Sequence, residues 1–506
     1  MNKRLVVNLI ANIISYSTTV LVAFFLTPFL VKTIGIEAYG FYPMAQNITN
    51  YVGFLSIALN SMASRFITIE IVKGNNEKAN TYFTSIFISN LILAGILFLP
   101  MVAIVVFINS IFDVPTSLVQ SVQATFALVF ISFLVQTISS VFGVAVFAKD
   151  RTDYRSYVEI AQAVMRVLLY IVFYSFFNSS IVYVGLVAVI LALIYAGCHY
   201  VFTKKLLPLM KISMKYFNLS SIKEILFSGI WNSINQLGSM MMFSISIILA
   251  NILISSKAAG EFSIIQVVPG FISGIISMLT AVFLPLITHK YAQNDINGLI
   301  YEVKKSQVIL GLITNIPIAV FIAVGKYFYM LWVPSEDSSK LQILSVMVIA
   351  YLLICGVVWP ISNLNTVMNR VKVPALFMVA NGAVNILLTV IICKTTDVGI
   401  FSISISMMVL SILYFSIFIP IYPCKALGVD KTTFYPAILK TIFGAVIIYF
   451  ITIIIMNFIL VNSWVSLLIV CGISGVLGII VNYIIIFSNT QRKNIIKFIL
   501  KVIIGG

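Results

Sequence analysis

The sequence predicts an all-α integral membrane protein of about 14 transmembrane helices: two parallel six-helix bundles related by pseudo-twofold symmetry, then two further helices. Three observations predict this. Of 506 residues, 61% are hydrophobic and 9% charged, and mean hydropathy is +1.11, far too apolar for a soluble chain of this length. Apolar stretches of about 20 residues, each able to cross a hydrocarbon core roughly 30 Å thick, recur from end to end. Polar and small residues also repeat at an offset of 220 positions.

The predicted spans are 5–31, 41–60, 82–109, 119–147, 157–177, 181–202, 225–254, 262–287, 306–331, 341–366, 374–393, 398–420, 439–460 and 464–487. Their length and unbroken hydrophobicity call for helices, because a barrel needs short alternating segments. The first span follows a basic start but continues well past a signal peptide's apolar core and lacks a small-residue cleavage site, so it is read as a retained helix. Of the 31 Lys and Arg, 25 fall in segments that are cytoplasmic if the N-terminus is inside, Arg166 falls within a span, and only Lys32, Lys257, Lys326, Lys340 and Lys394 fall on the outer side. This positive-inside bias supports an even number of spans with both termini cytoplasmic. It accounts for the net charge of +16 through anionic lipid, with no call for nucleic acid. Cys198, Cys355, Cys393, Cys424 and Cys471 are isolated and suit packing; His199 and His289 are expected at helix ends near the interface.

In the first span Asn8, Asn12, Ser15 and Thr19 recur at i, i+4, i+7 and i+11, and in the seventh Ser228, Asn232, Asn235 and Ser239 do the same. Such spacing lines one helix face with hydrogen-bonding groups. The same offset pairs Ala38, Gly40 and Gln46 with Ala258, Gly260 and Gln266, and Ala163 and Leu168 with Ala383 and Leu388. The expected organisation is residues 1–210 and 221–430 as the two bundles, with 438–506 holding the extra helices and a basic cytoplasmic tail. Six spans per bundle make the repeats parallel, the axis lying along the membrane normal. The lysine-rich linker, 203–224, is expected to lie as an amphipathic segment on the inner leaflet.

The segment TPFLVKTIGIEAYGFYPMAQN, with Pro28, then Gly35, Tyr39 and Gly40 before a polar second helix, resembles the start of bacterial polysaccharide flippases. These form the lipid-linked oligosaccharide branch of the superfamily that includes the MATE multidrug exporters. FAKDRTDYRSYVEIAQAVMRVLLYIVF resembles the same family's fourth-to-fifth helix region. The resemblance implies a MATE-like, V-shaped pair of bundles that alternately opens a central cavity to each side of the bacterial cytoplasmic membrane. It implies outward movement of an undecaprenyl-pyrophosphate-linked glycan for O-antigen or capsule, beside polysaccharide polymerase machinery and membrane lipids. No cofactor is implied, and a coupling ion, H+ or Na+, stays open.

Arg166 is the sharpest single residue, ten residues into the fifth span, about 15 Å deep at 1.5 Å per residue. Facing lipid there costs about 2.5–3.5 kcal/mol, so it is expected to face a cavity or a partner. Gln162 and Tyr170 share its face, while Glu159 lies about 10 Å away along the axis, too far for an ordinary ion pair. Two roles fit: a guanidinium binding pyrophosphate through charge-assisted hydrogen bonds, or an internal tie to helix-end carbonyls. The stripes, joined by Gln46, Asn47 and Asn50, and by Gln236 and Gln266, offer amides and hydroxyls that suit sugar hydroxyls. They equally suit interhelical hydrogen bonding.

Of the 15 carboxylates, none falls near the middle of a predicted span. A cationic-drug antiporter ordinarily needs a buried acid there, so an anionic substrate is favoured, with a MATE-like drug or ion antiporter and a peptidoglycan-precursor flippase as alternatives. Short outer loops and the lack of a nucleophile, metal or acid–base cluster argue against an enzyme.

Overall fold

The computed structural model describes residues 3–487, which form α-helices, short 3-10 and π segments and no strand. The basic tail expected at Arg492, Lys493, Lys497 and Lys501 lies outside the described residues. In chain order the helices are α1 (Lys3–Ile34), α2 (Ile36–Val52), α3 (Phe54–Val72), α4 (Asn76–Val106), α5 (Ile108–Ile111), α6 (Val119–Ser139), α7 (Val144–Ala148), α8 (Thr152–Phe176) and α9 (Val182–Leu206). Next come α10 (Leu219–Ser239), α11 (Ile245–Leu253), α12 (Ser256–Ile265), α13 (Val267–Ala292), α14 (Ile296–Trp332), α15 (Ser338–Ile349), α16 (Leu352–Val367), α17 (Lys372–Thr395), α18 (Phe401–Leu413) and α19 (Ile419–Leu427). The last two are α20 (Tyr435–Phe458) and α21 (Trp464–Ile485).

Thirteen helical stretches are long and apolar enough to cross a membrane, and α2 with α3 forms a pair bent by 66° that makes a fourteenth. The second expected span, 41–60, is therefore broken rather than straight. The break falls at Gly53, where a Cβ would come within 2.9 Å of the Phe133 ring. By contrast, α1 runs unbroken through Pro28 and α14 through Pro317.

The chain packs as two compact units: Met1–Ile264 with Ala375–Val390, and Ile265–Pro374 with Ile391–Gly506. Within a bilayer, apolar side chains gain little by leaving lipid for one another, so close backbone approach and buried hydrogen bonds hold helices together. In the first unit Gly40 of α2 meets Gly260 of α12, where a Cβ on Gly40 would lie 2.7 Å from the Gly260 nitrogen. These two glycines are partners in the 220-residue repeat. Asp113, after α5, reinforces this region: its backbone N–H donates to Asn251 Oδ1 at 2.9 Å, and its carboxylate accepts from the Ser256 N–H at 2.9 Å. It thereby caps α12 from another part of the chain.

The π-turn Met240–Ser244 separates α10 from α11. It frees carbonyls that a regular helix would bond, and Asn385 of α17 donates to the Met242 oxygen at 3.1 Å, while Tyr51 donates to that of Met240. The linker between α9 and α10 is not helical along its length. Residues 207–218 are largely non-helical and pinned to α4: Asn80 donates to the Leu209 carbonyl at 3.2 Å, Thr84 to that of Lys211 at 3.1 Å, and Ser85 accepts from the Asn218 N–H at 2.9 Å. Leu209 and Met214 remain exposed beside Lys211 and Lys215.

In the second unit α14 is the central strut. Its buried Asn315 exchanges hydrogen bonds with Asn482 of α21 at 2.8 and 2.7 Å and donates to the Thr441 carbonyl of α20 at 3.3 Å. This ties the last two helices to the rest of that unit. The repeat also appears in turn geometry. Gly74 and Asn294, 220 residues apart, both take positive φ, and the following Asn75 and Asp295 cap α4 and α14 by accepting from Lys78 and Gly298 N–H groups.

Candidate functional site

Helices α1 and α8 run parallel in steady register, and their seam changes character along its length. At its N-terminal end Asn8, buried, donates to the Asp150 carbonyl at 3.3 Å and carboxylate at 3.2 Å and accepts from the Asp153 N–H at 3.1 Å. One turn on, the Ser156 hydroxyl donates to Asn12 Oδ1 at 2.7 Å. One turn further, the Ser15 hydroxyl donates to Glu159 at 2.7 Å, whose other oxygen accepts from Arg155 Nε at 2.9 Å. The structure thus commits Asn8 and Ser15, expected on a wet face, to joining α1 to α8. Asn12 bonds Ser156 while staying exposed, and Thr19 is exposed with no hydrogen-bond partner among the described residues.

Beyond this ladder Val22 and Leu26 of α1 and Val167 and Tyr170 of α8 line one groove, and the ladder's register, continued, sets Arg166 at the level of Val22. Arg166 stands 14 residues after Thr152 in the 25-residue α8, about 21 Å along its axis. It is half-buried, and among the described residues it has neither an ion pair nor a hydrogen bond. Tyr170 is buried, with Arg166, Tyr39 and Tyr42 in its neighbourhood. Gln46, exposed, donates to the Tyr42 hydroxyl at 2.7 Å, so it belongs to this neighbourhood. Gln162 turns elsewhere, its amide donating to the Leu191 carbonyl of α9 at 2.7 Å. Asn47 is half-buried and Asn50 exposed.

On α10 the matching stripe has a different setting. Asn232, Asn235 and Gln236 are exposed, Ser239 half-buried, and none has a side-chain hydrogen bond among the described residues. The helix packs instead through the adjacent small face, where Gly229 lies against the Ala58 carbonyl of α3 and Ser233 is buried. Gln266 is half-buried at the break between α12 and α13.

One polar feature escaped the sequence reading. His199, near the end of α9, is packed inside the protein at 1% exposed, its ring stacked on Tyr195 at 3.9 Å and its Nδ1 3.0 Å from the Tyr195 carbonyl. A carbonyl only accepts, so Nδ1 carries the proton. It borders a cavity of about 210 Å³ shared with Asn60, Ser64, Ser140 and Arg155. There Asn60 and Asn90 exchange hydrogen bonds at 3.1 Å and Ser140 donates to Asn60 at 2.9 Å. The available signal was polar i, i+4 pairs, Asn60 with Ser64 and Tyr195 with His199, on two spans.

The helical architecture is that of MATE-like transporters of the MOP superfamily. It aligns with an inward-facing multidrug resistance MATE family transporter at a TM-score of 0.63 and 13% identity, covering 82% of this chain and 94% of that one. It aligns with a Vibrio cholerae MATE transporter at 0.59 and 15%, covering 83% and 96%, and with a MOP superfamily transporter from Pyrococcus furiosus at 0.59 and 14%, covering 83% and 95%. Residues 5–290, more than half of the chain, match the family described as polysaccharide biosynthesis protein, and the chain belongs to that family. It is also 27% identical over 465 residues to the uncharacterized membrane protein EpsK of Bacillus subtilis (strain 168), covering 92% of each chain.

Proposed function

We propose that this protein is a flippase that moves undecaprenyl-pyrophosphate-linked oligosaccharide repeat units across the bacterial cytoplasmic membrane, by alternating access of the repeats 1–210 and 221–430, for O-antigen or capsule assembly. The observation that carries the reading is Arg166. A mid-membrane guanidinium without an ionic partner is costly to retain, and a pyrophosphate supplies the bidentate anion that suits it. The exposed amides of Asn232, Asn235 and Gln236 suit sugar hydroxyls, which both donate and accept. Membership of a polysaccharide biosynthesis family supports a glycan cargo.

The test is sided movement of undecaprenyl-pyrophosphate oligosaccharide in proteoliposomes holding the intact protein or Arg166→Ala. Loss of a charge-assisted contact of about 1.5–3 kcal/mol predicts transport roughly 10- to 100-fold slower in the variant, with expression unchanged. Full transport by Arg166→Ala removes this residue from the mechanism. No movement by the intact protein, across proton and sodium gradients, returns the fold to the antiporter reading.

A further inference from the structure

Where the α1–α8 ladder ends, the seam opens into a groove of about 420 Å³ lined by Leu21, Val22, Phe25, Leu26 and Phe29 of α1, and Val167, Tyr170 and Ile171 of α8. Every lining group is apolar except the Tyr170 hydroxyl. The rim side chains Leu21, Phe25 and Ile171 are exposed, so the groove is entered from the side, and the edge-on contact of Phe29 with Tyr174, centroids 5.7 Å apart, lies at its far end. From Leu21 to Phe29 it extends about 12 Å along the helix. Arg166 precedes Val167 on the same helix and stands at the groove's inner end.

We infer that this groove holds the first isoprene units of the substrate's polyprenyl chain while Arg166 binds the diphosphate to which that chain is attached. The inference rests on the flippase reading and adds where the lipid lies. Three observations select this occupant over a resident phospholipid. First, the unpaired cation and the apolar groove adjoin on one helix, matching the junction of diphosphate and hydrocarbon in a polyprenyl diphosphate. Second, Arg166 lies about 21 Å along α8, whereas a phospholipid keeps its phosphate at the bilayer surface, so a charge at this depth meets an amphiphile in transit. Third, the seam is polar from Asn8 to Glu159 and apolar from Val22 to Phe29. With the N-terminus inside, that is the head-to-tail direction of an inner-leaflet lipid. The ladder excludes the chain from the inner half of the seam, and the groove accepts it in the outer half, so the head group can travel while its tail stays beside lipid.

The full-length protein in nanodiscs is titrated with undecaprenyl diphosphate, alone and against excess phosphatidylglycerol, by native mass spectrometry. Intact protein is compared with Leu21→Trp and Ile171→Trp, which fill the groove from its exposed rim, and with the milder Ile171→Ala, all checked for unchanged elution and helix content. We expect saturable binding that phosphatidylglycerol does not displace, weakened at least tenfold by either tryptophan. Ile171→Ala, which widens the groove, should weaken it less. Equal binding by the folded tryptophan variants, or displacement by phosphatidylglycerol, overturns the groove assignment. If those variants also flip the oligosaccharide lipid normally in proteoliposomes, the flippase reading stands without it. If the intact protein neither binds undecaprenyl diphosphate nor moves its oligosaccharide conjugate, both readings fall.

Discussion

The stripes on α1 and α10 share one four-position pattern, yet three positions of the first are bonded to a neighbouring helix, whereas among the described residues none of the second bonds beyond its own helix, Ser228 donating to the Glu224 carbonyl. The cause lies on the helices opposite. Helix α8 presents Ser156 and Glu159, with Asp150 and Asp153 just before and at its start, and these take up Asn12, Ser15 and Asn8. The repeat-related positions of Ser156 and Glu159 are Leu376 and Val379, which offer nothing to a polar face. A duplicated helix therefore keeps its polar pattern while its role follows from what its neighbour retained. In the first repeat the polar groups hold two helices together; in the second Asn232, Asn235 and Gln236 remain exposed.

Removing the α10 stripe should have the largest effect. Asn232→Leu combined with Asn235→Leu deletes two exposed amides that support no other helix, so thermal stability in detergent should change by less than about 0.5 kcal/mol. Transport should fall much further. If each amide contributes one ordinary hydrogen bond of about 1 kcal/mol to the moving glycan, the double variant loses roughly 30-fold in proteoliposome flux. Unchanged flux would make the α10 stripe inert toward cargo.

The α1 ladder should respond the other way, in stability. Asn8→Ala leaves the Asp153 N–H and the Asp150 groups without their partner in a buried site and should cost about 1–3 kcal/mol. Ser15→Ala should cost about 1 kcal/mol or less, because Glu159 keeps Arg155. That remaining pair is partly exposed and so adds little of its own. Thermal unfolding of both variants, read against the α10 double variant, checks the order. A larger loss for Ser15→Ala than for Asn8→Ala would show that the ladder's strength lies at Glu159.

Much of this was legible in the sequence because bilayer physics leaves few choices. Apolar length gives the spans. The repeat was visible in part because Gly40 and Gly260 face a backbone constraint that side-chain drift does not relax, and the turn residues at 74 and 294, which the structure adds to it, share a positive φ for the same reason. The periodicity of the stripes could not say which side chains met a partner, since that depends on α8, far along the chain. For the same reason His199 and Asn60 were missed: each looks like a helix-end residue until three other elements close around it. The π-turn at Met240 was equally hidden, being fixed by Asn385 and Tyr51 rather than by its own sequence.

The smallest expected effect compares the two repeat-related caps. Asn75 and Asp295 each accept from a backbone N–H three residues on, but only Asp295 is ionisable, and its Nζ contact with Lys290 at 2.9 Å adds a charge partner. The Lys290 contact, and then the Gly298 N–H, hold the Asp295 carboxyl below its ordinary 3.8. A carboxyl depressed in the folded state stabilises the fold above its unfolded pKa, and that contribution disappears as pH falls through the folded value. Asp295→Asn should therefore melt slightly below the intact protein at pH 7 and coincide with it once pH drops beneath the carboxylate range. Asn75→Asp, placed between Lys73 and Lys78, should acquire the same acid-sensitive increment that Asp295→Asn loses. A difference that stays constant with pH would mean that the cap hydrogen bond alone matters at both turns and that the lysine contributes nothing.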